Sequence, residues 1–451
     1  MSLKLLTVPV LSSFVLPISI INLPFFSNNE IVLATYQSYI SNELASEANS
    51  KFGVQTVYFE NDRDILSGFK TGAYDLAIIS SSTLEEAIEK KIVKPIDWAK
   101  FSSLNQDLKD KLKSFKENQN EKIQGFNSLY SPIVNNFFKE KPQLSEYGLP
   151  YFLSYFTFAY KCKDCPKELD NSSGNWGEQF QSIINQKEKD NKSFKLGIIE
   201  DEVTILSLSK LSSKEYKDKK SWKDNQNSKD FFSQYKELSK LGLRSKNRDS
   251  SIFMNSDSAL MSEMFIKDQL QGVFMYNGDA LYSYKELKNN NEERAKDFRL
   301  LNISPSLWLL DQIAISYKIN GEKEEKIYRF LDKLLFSGAI NNKNKEIETQ
   351  KTESNNIKNS WAWRNFEFLQ YTPVLKEMQE VIKGENKDKQ EEKEYDDMML
   401  KLLFGGDNEK ECGGALQKEE KCNIVFESGM TDSQNLDLSL AFQKWKNNRY
   451  F

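Results

Sequence analysis

The sequence has 451 residues, of which 39% are hydrophobic and 28% charged, and its net charge is −4. This length suggests about three domains, or two larger ones with extensions. The weak negative charge excludes a strongly basic nucleic-acid-binding protein. Because the chain contains no histidine, every mechanism that needs imidazole is also excluded, including a Ser-His-Asp triad and an HExxH zinc site.

The N-terminus contains a long apolar segment. There is no charged residue from Leu5 to Asn29, and about 20 apolar residues are enough to span a bilayer. No cysteine follows this segment closely, so we expect no lipid-attachment site. We predict that residues 1–30 are an export signal or a membrane anchor, and that the protein lies outside the cytoplasm, attached to the membrane or, if the segment is cleaved, secreted or periplasmic. A buried N-terminal segment is the alternative.

After Glu30 the pattern changes to short strands that alternate with helices. Apolar periodicity and capping residues predict these elements in chain order: strand Ile31–Tyr36, helix Ser41–Phe52, strand Val54–Phe59, helix Asp62–Lys70, strand Asp75–Ile79 and helix Thr83–Lys91. This order indicates a parallel, doubly wound sheet, whose ligands bind beyond the carboxyl ends of the strands. Two such ends are residues 36–39, rich in tyrosine, and 80–83, rich in hydroxyl groups. The serines at 80–82 could instead serve only to cap the helix that follows them.

Short motifs spread along the chain point to a known family. They are Ile31–Tyr39, Gly72–Ser81, Leu149–Tyr151, Phe253–Asp257, Tyr276–Ala280, Trp308–Ile313 and Asn365–Pro373. Taken in order, these segments resemble the polyamine (spermidine/putrescine) substrate-binding proteins of ABC transporters, in which a strand ends in an aromatic-polar-x-Tyr turn and a Gly-x-Tyr-Asp-Leu segment leads into a serine-containing loop. The resemblance spans roughly 31–375 and 430–451.

The resemblance implies an α/β, two-lobed, periplasmic-binding-protein-like (type 2) fold. Each lobe would be a doubly wound sheet flanked by helices, with the ligand cleft between the lobes. The implied division is lobe one at 31–153 and 310–345, lobe two at 154–309 and 346–380, a partly disordered insertion at 381–430, and a C-terminal helix at 431–451 that packs on the lobes. We place inward-facing helices at Glu324–Leu335 and Leu436–Trp445.

The resemblance also implies a function. The protein would not be an enzyme; it would capture spermidine or putrescine by cleft closure and deliver it to ABC permease subunits with their cytoplasmic ATPase, without a cofactor, a metal or nucleic acid. A polyamine needs carboxylates at its ammonium groups and aromatic walls along its methylenes. The implied ligand-binding residues are Tyr36, Gln37, Tyr39, Ser80, Ser82, Asp201, Tyr276, Asp279 and Asp311.

The chain departs from the family pattern at several of these positions. Tyr36 and Tyr276 stand where the family often has tryptophan, and Thr204 stands where it has a second acid after Asp201. Asp279 follows Asn-Gly and can be read as a turn residue. A carboxylate at Asp311, in an apolar run, needs a partner.

Other functions stay open from the sequence. The same fold could bind thiamine, a sugar or an oligopeptide, or the protein could be a surface protein that has lost transport. An enzyme could use the acids at 200–202 as a glycosidase pair.

The four cysteines, Cys162, Cys165, Cys412 and Cys422, are too few for a disulfide scaffold. A zinc site with four thiolate ligands is one possibility. A disulfide between Cys412 and Cys422 is favoured if the protein is exported.

Overall fold

The computed structural model describes residues 30–59, 62–113, 125–163, 176–189, 194–212, 231–243, 252–301, 303, 306–340, 355–384, 395–405, 424–427, 430 and 432–447. Over these residues the chain is a mixed α/β protein built on one curled sheet, which confirms the predicted fold class.

The first six elements confirm the predicted alternation, each within two residues of its expected ends. They are β1 (Ile31–Tyr36), α1 (Asn42–Phe52), β2 (Val54–Phe59), α2 (Asp62–Thr71), β3 (Leu76–Ser80) and α3 (Ser81–Glu89). The Ser41 side chain caps α1, and Leu44 and Ala48 form its buried face. Since β1 pairs in parallel with both β2 and β3, the carboxyl ends of these strands meet at one edge of the sheet.

Two long strands join two halves of the sheet. Strand β4 (Gly148–Lys161) pairs with β9 (Ser306–Ile315) as far as Tyr155, and from Phe156 onward it pairs with β7 (Gly272–Tyr276). Strand β9 pairs antiparallel with β3 over residues 311–315. The chain therefore passes from one half to the other along β4 and β9.

The second half repeats the parallel arrangement of the first. Its strands are β5 (Leu196–Ile199), β6 (Ile252–Asn255), β7 and β8 (Phe298–Leu301); β5 lies parallel to both β6 and β7, and β8 pairs with β4. The full order is β2-β1-β3-β9-β4-β7-β5-β6.

Helices cover both halves of the sheet. Between β3 and β8 they are α4 (Gln106–Lys113), α5 (Pro132–Glu140), α6 (Leu144–Tyr147), α7 (Trp176–Lys189), α8 (Glu202–Ser212), α9 (Phe231–Lys240), α10 (Ser258–Ile266), α11 (Asn277–Asn290) and α12 (Glu292–Ala295). One buried apolar cluster includes Leu33, Ile78 and Ile313 from the first half. A second includes Phe158 and Phe274 from the second half. Each large side chain buried in this way contributes about 1.5–3 kcal/mol of transfer free energy.

The C-terminal elements pack on both halves. They are α13 (Gly321–Leu335), α14 (Trp361–Leu369), β10 (Thr372–Pro373), α15 (Lys376–Lys383), α16 (Asp397–Phe404), β11 (Ile424–Phe426) and α17 (Asp432–Asn447). The predicted inward faces of α13 and α17 are confirmed, because Phe330, Leu334, Leu438, Phe442 and Trp445 are all buried.

The segment expected at 346–380 contacts both halves, and its grouping with lobe two stays a prediction. Helix α14 lies against α1 of the first half, whereas Thr372 accepts a hydrogen bond of 3.1 Å from Asn277 of α11. Arg364 forms ion pairs of 2.7 Å with both Glu43 and Glu47 of α1. Asn365 Oδ1 also accepts a hydrogen bond of 3.2 Å from the Ser41 backbone N–H.

The cysteine and membrane predictions are only partly covered by the described residues. Cys162 is in a disulfide, so its sulfur is not available to a zinc ion. Cys165, Cys412 and Cys422 lie outside the described residues, and the Cys412–Cys422 disulfide stays a prediction. Within the described ranges, no helix is both long and apolar enough to cross a membrane; residues 1–29 fall outside those ranges.

Candidate ligand-binding site

The turn after β1 brings Tyr39 onto Asp311. The Tyr39 hydroxyl donates a hydrogen bond of 2.8 Å to Asp311 Oδ2. Asp311 is only 5% exposed, so this bond supplies the partner that a buried carboxylate needs. The Tyr36 ring meets the Tyr39 ring edge-on at 5.1 Å. Two of the predicted tyrosines and one predicted acid therefore lie together.

A β-bulge in β4 holds this turn in place. The register between β4 and β9 shifts between Pro150 and Phe152. Such a bulge changes the direction of the side chain at the extra residue, here Tyr151. Its hydroxyl donates to the Tyr39 carbonyl oxygen at 2.8 Å and accepts from Asn365 Nδ2 at 2.6 Å. The strand that joins the two halves thus also fixes the position of Tyr39.

A second tyrosine–carboxylate pair lies at the start of α11. The Tyr371 hydroxyl donates to Asp279 Oδ2 over 3.3 Å. Gly278, the residue before Asp279, lets the Tyr371 ring lie close to the backbone, because a Cβ at that position would be 2.1 Å from the ring. The rings of Tyr371 and Tyr39 are 5.6 Å apart, so the two pairs are neighbours.

The environment of Asp279 brings the ionisation of its carboxyl close to neutral pH. Burial raises the pKa of this carboxyl to about 7, although hydrogen bonds from Ser258 and Tyr371 oppose the rise. Asp279 lies in the first turn of α11, not in a free turn after Asn-Gly.

A third tyrosine reaches a carboxylate through Thr204. Thr204 Oγ1 lies 3.1 Å from the Tyr276 hydroxyl and 3.0 Å from Glu427 Oε1. A threonine hydroxyl has one proton, and here it is donated to the carboxylate. Thr204 must then accept its other bond from Tyr276. Glu427, directly after β11, is 8% exposed.

The three tyrosines stay neutral and present oxygen lone pairs. Burial, followed by nearby carboxylates, raises the pKa of Tyr39 and of Tyr276 well above the usual value. Burial and Asp279 do the same for Tyr371. Each phenol proton points toward a carboxylate or Thr204, and a phenol oxygen keeps lone pairs as acceptors. The cluster therefore offers negative charge, hydrogen-bond acceptors and aromatic faces, which suit a cationic donor.

Three of the four remaining predicted residues, Ser80, Ser82 and Asp201, have structural contacts of their own. Gln37 is exposed in the turn after β1. Ser80 is the N-cap of α3, accepts from the Thr83 N–H at 3.3 Å and lies 3.0 Å from the Ser82 hydroxyl. Asp201 accepts from the Thr204 N–H at 2.6 Å, at the start of α8. The capping alternative is thus correct for Ser80, and ligand contact stays a prediction for all nine residues.

Two residues of the cluster, Tyr371 and Glu427, were not among those predicted from the sequence. Tyr371 lies within the quoted motif Asn365–Pro373, where an aromatic residue before Thr-Pro could have drawn attention. Glu427 lies in the region set apart as an insertion, and its only signal is an acid after the short apolar run Ile424–Phe426. Within the described part of the chain, no group of three or more His, Cys, Asp or Glu could hold a metal ion.

Comparisons with solved structures define the fold. The spermidine/putrescine ABC transporter substrate-binding protein PotD from Streptococcus pneumoniae is 12% identical, with a TM-score of 0.50, over 94% of this chain and 100% of that chain. The PotD lipoprotein of Treponema pallidum is 12% identical, with a TM-score of 0.53, over 93% and 99%. A GABA receptor is 10% identical, with a TM-score of 0.50, over 94% and 99%. These likenesses confirm the periplasmic-binding-protein-like fold.

Comparisons of sequence define the family. No curated protein matches the chain significantly. A family model described as "Hypothetical lipoprotein (MG045 family)" matches residues 3–437, which is nearly the whole sequence. The chain belongs to the MG045 family of hypothetical lipoproteins.

Proposed function

We propose that the protein is the extracytoplasmic substrate-binding component of a polyamine ABC importer. The observation that carries this proposal is the convergence of three tyrosine-linked carboxylates, Asp311, Asp279 and Glu427, from separate parts of the chain. A carboxylate attracts an ammonium group through a charge-assisted hydrogen bond, and an aromatic face adds about 0.5–2 kcal/mol. Spermidine and putrescine consist of such ammonium groups joined by methylenes.

The fold supports a capture role over a catalytic one. We propose that the two halves joined by β4 and β9 act as lobes, with boundaries near 153 and 310, and close around the ligand. The loaded protein then delivers the ligand to permease subunits that have a cytoplasmic ATPase. The neighbour from Streptococcus pneumoniae, which is named for spermidine/putrescine transport, supports this role.

A different small amine is the second candidate ligand. The GABA receptor shares the fold, and its named ligand carries a carboxylate as well as an amine. In this chain the three tyrosine protons are directed toward protein acceptors, so a ligand carboxylate would find few donors there. This arrangement favours a purely cationic amine.

The proposed location follows from the N-terminus and the family. A lipoprotein family description supports a position outside the cytoplasm at the membrane. We propose that the hydrophobic segment within residues 1–30 holds the protein there.

Thermal unfolding with candidate ligands tests the function. Spermidine or putrescine at a hundredfold excess over its dissociation constant should raise the free energy of unfolding by about 2.7 kcal/mol. GABA, thiamine and maltose serve as comparison ligands and should shift the melting temperature less. No shift with millimolar polyamine would reject the ligand, and a shift with GABA alone would establish the second candidate.

A further inference from the structure

The turn that carries Tyr39 contains a backbone conformation that its sequence does not favour. The Tyr39 N–H donates to the Tyr36 carbonyl oxygen at 3.2 Å, which closes a four-residue turn, and Ser38 at its third position has a φ of 63°. A positive φ there is typical of glycine or asparagine, because the Cβ of most other residues crowds the backbone. Such a conformation persists where the surrounding structure holds it. Ser38 is exposed, so burial of its own side chain does not hold the turn.

Two buried side chains outside the predicted ligand set hold the backbone on the C-terminal side of this turn. The Tyr151 hydroxyl donates to the Tyr39 carbonyl oxygen, and Asn365 Oδ1 accepts from the Ser41 N–H. Asn365 Nδ2 donates to the Tyr151 hydroxyl, so one amide joins the two contacts. Tyr151 is 3% exposed and Asn365 1%, and both border a cavity whose other lining residues are all apolar. Water therefore competes little for these bonds. We call Tyr151 and Asn365 the turn clamp.

The turn clamp and Asp311 hold Tyr39 from two neighbouring strands. Phe152, the residue after Tyr151, lies opposite Asp311 where β4 pairs with β9. Tyr39 is therefore fixed at its carbonyl oxygen by β4 and at its phenol hydroxyl by β9. Because these two strands are bonded to each other, we expect a turn that leaves the clamp to move the Tyr39 hydroxyl away from Asp311.

We propose that Tyr151 and Asn365 are positioning residues, which hold the turn at Ser38 in its left-handed conformation and thereby preset Tyr39 on Asp311 before any ligand arrives. The effect on the ligand rests on the proposed function, whereas the effect on the turn does not. Neither residue of the clamp has to touch the ligand. Less of the binding free energy is then lost in ordering the turn, which is the general benefit of preorganisation.

Amide hydrogen exchange of the ligand-free protein tests the clamp directly. Tyr151→Phe removes the hydroxyl and keeps the ring, so exchange in a peptide that covers residues 36–44 should become about tenfold faster, the effect of one lost hydrogen bond. Glycine adopts the left-handed conformation without strain. In a protein that carries Ser38→Gly, adding Tyr151→Phe should therefore accelerate exchange by less than about threefold relative to Ser38→Gly alone.

A matched control is available at Tyr155 on the same strand. Its hydroxyl donates to the Lys401 carbonyl oxygen at 3.0 Å, and it is 2% exposed. Tyr155→Phe thus loses an equivalent buried bond away from the turn, and it should leave exchange at residues 36–44 unchanged. The proposal is overturned if Tyr151→Phe does not accelerate this exchange, if Tyr155→Phe accelerates it as much, or if Ser38→Gly leaves the effect of Tyr151→Phe unaltered.

Calorimetric titration with spermidine extends the test to binding. Tyr151→Phe should weaken spermidine binding about tenfold, whereas Tyr155→Phe should bind as the wild type does. Ser38→Gly should reduce the effect of Tyr151→Phe in a double-mutant cycle, in which any direct contact of Ser38 with the ligand cancels. Unchanged affinity in a Tyr151→Phe protein whose turn exchanges faster would overturn the positioning role. If the wild type binds no spermidine, the proposed function fails, and the exchange measurements still decide whether the clamp holds the turn.

Discussion

Tyrosine-bonded carboxylates occur in this protein in two different settings. Asp311 accepts from Tyr39 at 2.8 Å in the candidate site. Asp396 accepts from Tyr284 at 2.9 Å, caps α16 and pairs with Lys288, also at 2.9 Å. The second carboxylate has a cationic partner within the fold, and it stabilises the contact between α16 and α11.

Asp311→Asn should weaken spermidine binding by about 1.5–3 kcal/mol, the range for a hydrogen bond to a charged group. The substitution keeps the side-chain volume and an oxygen for Tyr39, so we expect the ligand-free protein to keep its fold. Calorimetric titration measures the change. Asp396→Asn removes the same kind of charge outside the site and should bind as the wild type does; equal affinities for both variants and the wild type would show that the site is assigned to the wrong residues.

Asp279 should make stability depend on pH. Its pKa of about 7 in the folded protein lies above the ordinary value of about 3.9. The folded state then binds more protons than the unfolded state between these values, so the free energy of unfolding falls as pH rises from about 4 to 7. Asp279→Asn cannot ionise. At pH 8 the free energy of unfolding of this variant should be higher than that of the wild type by on the order of 2 kcal/mol. Near pH 4 the two should differ little.

Denaturant unfolding of the ligand-free protein between pH 4 and pH 8 measures this effect. If the Asp279 carboxyl has the same pKa in the folded and unfolded states, the free energy of unfolding of Asp279→Asn will differ from that of the wild type by the same amount at pH 4 and at pH 8. That outcome would contradict the burial of Asp279. The same titration predicts that binding of a cationic ligand strengthens from pH 6 to pH 8, because the ligand prefers the ionised form.

At the scale of elements, local patterns predicted the fold well. Apolar periodicity and the Ser41 cap were sufficient to place the elements from β1 to α3, since strands and helices differ in the spacing of buried side chains. The inward face of α13 followed from the same periodicity. These elements depend on neighbours in sequence, which a single sequence displays.

Contacts between distant segments were beyond the same reasoning. The bond from Arg364 to Glu47 that places α14 on the first half of the sheet joins residues 317 positions apart. Strand β11 has three residues, too few for a periodic pattern, and Glu427 bonds Thr204 across 223 positions. Asp311 and Tyr39 could therefore be named from the sequence, but neither their bond nor the place of Glu427 beside Thr204 could be predicted.

At the scale of the whole molecule, the protein should be exposed outside the cell membrane. Protease added to intact cells should degrade it, and a membrane fraction should retain the intact protein before digestion. A cytoplasmic protein followed in the same samples is the control and should resist the protease. If the protein is protected as completely as that control while the cells are intact, the proposed location is wrong.

The distribution of the site along the chain has a consequence for biosynthesis. The residues of the cluster extend from Tyr36 to Glu427, so the ribosome must complete almost the entire polypeptide before the site can assemble. A nascent chain holds Tyr36, Tyr39 and the first half of the sheet long before it holds β11. No complete pocket then exists for an amine to enter. If the protein binds amines as proposed, a growing chain therefore cannot be trapped in a ligand-bound form.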